Sequence, residues 1–147
     1  MQEIELQEYL YEHIPLSKAL GISVRQATME RVILQAPLAL NINHKKTVFG
    51  GSLYNVATLA CWSLAFLNVR CLQIRAEIVI SSGNIKYRAP VKEDFTVECA
   101  IENQDVLSHF KEGLRKKGKA RLGLNAKIYQ GSCLAVDYAG DFVAIKY

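Results

Sequence analysis

Proline is scarce in this chain, at three of 147 residues, while half of the residues are apolar. A collagen-like or disordered polymer needs the opposite balance, so both classes are excluded. Four cysteines stand at positions 61, 71, 99 and 133, never as a CxxC pair and never at metal-ligand spacing with the three histidines. A zinc ribbon and a dithiol redox motif are therefore absent. The acidic N-terminus has no signal-peptide layout, and the expected setting is the reducing cytosol. A chain of this length removes about two-thirds of its unfolded surface from water, enough for one core without metal or disulfide staples. One domain over residues 1–147 is expected, with no internal repeat or linker.

Charge of either sign is also modest. Eighteen basic and 14 acidic residues leave +4, too little for a dedicated DNA binder. The distribution is uneven. Residues 1–13 carry four glutamates and no lysine or arginine, whereas Lys111, Arg115, Lys116, Lys117, Lys119 and Arg121 crowd into eleven positions against Glu112 alone. That segment is +5 and the remainder is −1. It reads as a basic bend suited to phosphates or an acidic protein face, against the common alternative of a merely solvated surface. Nucleic acid is not expected, because no aromatic stacking platform accompanies the lysines.

Residues 47–69 contain no charge at all and are long enough to suggest a membrane span. Gly50, Gly51, Ser52 and Asn55 occupy the first third, and the apolar part from Val56 to Leu67 is short, so a core helix is expected instead. Elsewhere the periodicity points to strands. A helix over 2–13 is ended by Pro15. A short turn through Ser17 to Leu20 precedes two strands between Ile22 and Ala36, joined near Met29 and Glu30. Residues 39–49 form an irregular loop. After the helix, expected to end near Asn68, alternation from Ile74 to Ile80 resumes at Ile85 and Tyr87, with Ser81, Ser82, Gly83 and Asn84 as a bulge. Alternation at 95–101 and 121–128 predicts two half-buried strands, and Cys133 to Ile145 a last one broken around Gly140. The fold class is α+β: an antiparallel sheet of five to six strands wrapped around one long helix.

The chemistry concentrates at Asn41 to Thr58. Two glycines at a helix start let a ligand approach the backbone, and the first-turn N–H groups offer unpaired donors at the positive end of the helix dipole. Gly-Gly before a helix is a weak signal taken alone, since capping and close packing explain it as well. At 100° per residue, Ser52, Asn55, Thr58, Trp62 and Ser63 fall on one arc of the helix, opposite Leu53, Val56, Ala57, Ala60, Leu64 and Leu67. A polar stripe on a buried helix either bonds back to its own carbonyls against another subunit or lines a cavity.

The blocks APLALNINHKKTVFGGSLYNVATLACW, SSGNIKYRAPVKEDF and FKEGLRKKGKARLGLNAKIYQG together resemble the hotdog-fold thioesterases, in particular the YiiD C-terminal type of thioesterase domain. The resemblance spans nearly the whole chain, which looks like a stand-alone form without the acetyltransferase domain of two-domain members. It implies a homodimer, often assembled into a tetramer, with acyl-CoA or acyl-carrier-protein thioester sites at the subunit interface. It also implies that the Gly51 amide stabilises the oxyanion and that Asn43 positions the thioester or the attacking water. Phe49, Gly50 and Ser52, with Ser81, Ser82 and Gly83 of the third strand, would line the substrate. Lys116, Lys117, Lys119 and Arg121 would meet the phosphates of coenzyme A or an acidic carrier. No resident cofactor or metal is implied, because coenzyme A or phosphopantetheine arrives with the substrate.

Two positions depart from better-studied relatives of the phenylacetyl-CoA type. Phe49 stands where they have histidine, and Thr58 where they have a carboxylate. A threonine hydroxyl orients water but is a poor base. His44 is the one loop histidine with a suitable ordinary pKa for a base, and Asn55 joins the polar candidates. His13 and His109 are weaker, the first in a terminal helix and the second in a polar loop. The alternative to hydrolysis is a non-catalytic module that binds acyl thioesters. Hydratase chemistry ranks last, as it wants a paired histidine and carboxylate.

Overall fold

In the computed structural model, which describes residues 2–147, the elements run α1 (Glu3–His13), α2 (Pro15–Ala19), β1 (Ser23–Ala27), β2 (Arg31–Ala36), α3 (Gly50–Cys71), β3 (Ala76–Tyr87), β4 (Phe95–Ala100), α4 (Gln104–Lys117), β5 (Lys119–Gln130) and β6 (Cys133–Lys146). The strands form one antiparallel sheet in the order β1-β2-β4-β5-β6-β3. Strand alternation turns Val32, Leu34, Val97, Cys99, Leu122, Leu124, Ala126, Tyr138 and Phe142 onto one buried face. Against that face lies α3, of whose 22 residues 13 are buried. The helix is long and apolar enough to cross a membrane, with a mean hydropathy of 1.3 over its best window, yet two-thirds of that window is covered by this chain's own packing.

The two sheet edges are treated differently. Along β1, helix α1 inserts Leu6 and Leu10 into the core and caps the strand, with Val24 N donating to Gln7 Oε1 at 3.0 Å and the Tyr11 hydroxyl bonding to Ile22 O. Along β3 no further strand pairs with the outer edge among the described residues. Its twelve residues are exposed or half-buried throughout, Val79 at 48% and Ile80 at 40%. An open apolar edge of that length is a template for another strand.

Several expectations from the sequence hold. The strand register between β3 and β6 slips between Ile80 and Ser82, which makes Ser81 the bulge. Others need correction. Pro15 does not only end α1; it starts the short α2, where its missing N–H costs nothing. Strand β6 is continuous through Gly140, because glycine there leaves room for the Tyr138 and Phe142 rings on either side rather than breaking the ladder.

The largest correction concerns the basic bend, whose Lys111 to Lys117 form the second half of helix α4 while Lys119 and Arg121 open β5, with His109 on the same helix rather than in a loop. Leu107, Phe110 and Leu114 recur at helical spacing and are buried. The Asn103 side chain caps the start by accepting from Asp105 N at 2.9 Å, and Gly118 ends it at φ 72°. Lys and Arg in its last turn complement the helix dipole, and both Arg115 and Lys116 pair with Glu112 one turn back.

Candidate active site

The segment before α3 is pinned from both sides. Phe49 N donates to Asn41 O at 2.7 Å and Val48 N to Val91 O at 2.8 Å. Phe49 then takes the N-cap position with φ −59° and ψ 134°, and its carbonyl accepts from both Ser52 N and Leu53 N. The N–H groups of Gly50 and Gly51 are left without a protein acceptor among the described residues. They are two orphan donors at the positive end of a 22-residue helix, an arrangement able to receive a developing negative charge on oxygen.

Side-chain-free positions make that end accessible. A Cβ on Gly51 would stand 2.5 Å from Cε2 of Phe49, whose ring is 58% exposed, so only glycine lets the ring lie over the helix start. On the neighbouring side, the Tyr87 ring packs on Gly50 and its hydroxyl donates to Gly50 O at 2.9 Å. Desolvation, with a smaller contribution from Tyr54, pushes the Tyr87 phenol above its ordinary value, so it stays a neutral donor. A cavity of about 280 Å³ opens here, lined by Val48, Gly50, Leu53, Tyr87 and Pro90 among others. A wider cavity, about 580 Å³, lies at the opposite end of α3 beside Met29, Leu67 and Arg70 and contains none of the candidate residues.

Between Gly51 and Val69 the incompletely buried residues of the helix are Gly51, Tyr54, Asn55, Thr58, Trp62 and Phe66, one stripe at helical spacing. Asn55 and Thr58 belong to it as expected. Ser52 and Ser63 do not: they are buried, and the Ser63 hydroxyl has no partner among the described residues. Trp62 belongs to the stripe as well, and Tyr54 and Phe66, which the helical wheel left on neither side, complete it. Asn55 Nδ2 bonds back to Gly51 O at 2.8 Å, which leaves its side-chain oxygen outward. Thr58 Oγ1 and the Tyr138 hydroxyl are hydrogen-bonded at 3.0 Å. Burial pushes the Tyr138 phenol up to about 12. Tyr54 meets Tyr138 edge to face at 5.4 Å and rests its hydroxyl against Gly83 at the middle of β3. Below them Trp62 and Phe66 stack at 5.0 Å, Phe66 on Tyr9 at 4.5 Å and Tyr9 on His13 at 4.0 Å. The indole is fixed by donating to Ile78 O at 3.0 Å.

The remaining candidates are placed elsewhere. Asn43 Oδ1 accepts from Lys45 N, Thr47 N and the Thr47 hydroxyl, and Nδ2 donates to Thr47, so both polar atoms close the loop that presents Phe49. His44 is exposed at the tip of that loop, beyond the Ile42–Val48 bridge, with no partner among the described residues. The Ser81 and Ser82 hydroxyls bond to Asp141 O and Oδ2 at 3.1 and 2.9 Å, securing the bulge. Lys116, Lys117, Lys119 and Arg121 stand at the wrong end of the same chain. Lys119 pairs with Ile145, beside the Ala76 end of β3, whereas Gly50 sits at the Tyr87 end. The twelve residues of β3 that join these ends run about 35 Å along the strand. No group of three or more His, Cys, Asp or Glu side chains able to hold a metal occurs among the described residues.

An antiparallel sheet curled around one long helix, with bare N–H groups where that helix begins, is the hotdog architecture of thioesterases. The family described as "Putative thioesterase (yiiD_Cterm)" matches residues 3–146, and the chain belongs to it. Solved structures agree. A protein of unknown function from Chlorobaculum tepidum is 34% identical, with 99% of this chain and 94% of that one covered and a TM-score of 0.93. A structure titled as the putative thioesterase from Shewanella oneidensis is 26% identical, with 97% and 96% covered and a TM-score of 0.85. A thioesterase from Haemophilus influenzae, at 13% identity over 99% of this chain and 92% of that one with a TM-score of 0.72, shares the fold.

Proposed function

We propose that the protein hydrolyses acyl thioesters of coenzyme A or an acyl carrier protein in the cytoplasm, as a dimer. The observation that carries this is the pair of unpartnered N–H groups at Gly50 and Gly51, opening onto the half-exposed stripe of Asn55 and Thr58. The thioester carbonyl sits at Gly51 N–H, which stabilises the oxyanion as water attacks. A preorganised donor of this kind supplies a factor of about 10² to 10³ in rate. Asn55 and Thr58 orient the water or the carbonyl, and Asn43 holds the loop that sets Phe49 over the site. His44, at the loop tip, is given no role in the chemistry.

The open edge of β3 supports the dimer. Antiparallel pairing of two β3 strands about a two-fold axis near their centre buries Val79 and Ile80. Gly83, at that centre, touches Tyr54, so the same axis passes near residue 54 of α3. Residues 51 and 58 are nearly symmetric about that point and about 10 Å apart along the helix. Gly51 of one protomer therefore faces Thr58 of its partner. The same operation brings the partner's Ala76 end to this chain's Tyr87 end, and with it the partner's Lys117, Lys119 and Arg121. Phosphates of coenzyme A, or an acidic carrier, are then met in trans, which accounts for the separation of these residues from the glycines within one chain.

Sedimentation velocity tests this pairing. Val79→Lys with Ile80→Lys sets like charges across the axis, and the dimer is expected to dissociate with loss of turnover. A wild-type monomer with full activity would overturn the arrangement. For the reaction itself, thiol release is measured over acyl chains of graded length, as free coenzyme A and carrier-bound thioesters. Turnover on at least one class is expected, and none on any would sink hydrolysis. A second reading, a module that binds acyl thioesters without cleaving them, is favoured by one feature: the open stripe of α3 contains neither carboxylate nor imidazole.

A further inference from the structure

We propose that Tyr138 is a positioning residue for the reaction: its hydroxyl donates to Thr58 Oγ1, which turns the threonine's own proton toward the open face of α3. This rests on the hydrolase reading and adds to it a residue 80 positions away in sequence, on β6 rather than on the helix.

Both hydroxyls can donate in the 3.0 Å contact, and burial decides which does. Tyr138 is fully buried, and among the described residues its hydroxyl has Thr58 as its one hydrogen-bond partner. Were Thr58 the donor, the phenolic proton would be stranded in a space closed by Phe142, the edge-on Tyr54 ring and the Cα of Gly140, where even a Cβ would come within 2.7 Å of the phenol oxygen. An unsatisfied buried donor is costly. With Tyr138 donating, the orphan disappears, and the Thr58 proton is the one left over. Thr58 is half-exposed, so that proton points where solvent or substrate can accept it. The bond back to the preceding turn's carbonyl, common for helical threonine, is not made here among the described residues. The phenol stays neutral at any working pH, since burial raises it. Thr58 is thus a fixed hydrogen-bond donor, held in one rotamer by a residue that does not itself touch the substrate.

Steady-state kinetics on Y138F, T58V, T58S and the Y138F/T58V double variant tests the assignment, with thermal melts in parallel. Y138F keeps the ring and is expected to lower kcat about 10-fold while KM changes less than about twofold. T58V is expected to do the same, the double variant no worse than T58V, and T58S to retain most of the activity. Such non-additivity is the signature of two groups acting as one. Should Y138F fold poorly, 3-fluorotyrosine at 138 keeps the shape and strengthens the donor, and kcat is expected to rise. A melt lowered with kcat unchanged, additive losses in the double variant, or no response to the fluorinated phenol would overturn the positioning role and leave the hydrolase reading standing. A wild-type protein inert on every thioester would overturn both.

Discussion

Thr58→Asp is expected to raise kcat for acyl-thioester hydrolysis about 10²-fold. A general base contributes roughly 10² to 10⁴ in rate where the geometry suits it, and the threonine hydroxyl is a poor one. Position 58 is on the exposed stripe, so a carboxylate there keeps contact with water and does not pay for full burial. The Tyr138 hydroxyl, already 3.0 Å from the residue at 58, donates to the new carboxylate and favours its ionised form, which is the form that accepts a proton from water. The starting level separates the two functional readings. A slow wild-type enzyme accelerated by the substitution is a hydrolase working without its base, whereas turnover that first emerges in Thr58→Asp identifies a binding module. Thioester binding without turnover in the variant would show that more than a base is missing, and would refute the proposed arrangement of carbonyl and water.

Gly140→Ala is expected to cost about 2 kcal/mol and to lower Tm by roughly 5 °C. The added methyl would stand 2.7 Å from the Tyr138 hydroxyl oxygen, 2.9 Å from Phe142 Cε1 and 3.0 Å from Tyr138 Cε1. Both rings are fully buried, so neither has a free direction in which to give. The displaced phenol also loses its line to Thr58, and kcat is expected to fall along with stability. A thermal melt and an activity assay on the same preparation check both. A variant as stable as the wild type would mean that β6 is less tightly packed at Gly140 than the contacts require.

The difference between these two sites shows what sequence pattern can reach. Thr58 and the Gly-Gly pair were legible because helical spacing is local: residues 51, 55 and 58 share a stripe whatever the rest of the chain does. Tyr138 was not, because alternation in CLAVDYAGDF says only that it faces inward, and its partner lies on a different element 80 residues away. Helix α4 was missed for another reason. Its signals, Asn103 and Gly118 as caps and Leu107, Phe110 and Leu114 as a stripe, were present, but the density of charge read as a bend.

Sequence by itself determined the class of fold and the place of the proposed oxyanion site. A 22-residue helix whose one charge is Arg70 in its last turn needs an alternating sheet to bury it, and two glycines at its start leave backbone donors bare. Tertiary structure decided the rest. It spent Asn43, Ser81 and Ser82 on local hydrogen bonds, set His44 out in solvent, gave Thr58 a buried phenol, and put the basic residues toward the strand end opposite the glycines. Strand order and edge exposure are sums over the whole chain, and they alone determine which end of a sheet meets which end of a helix.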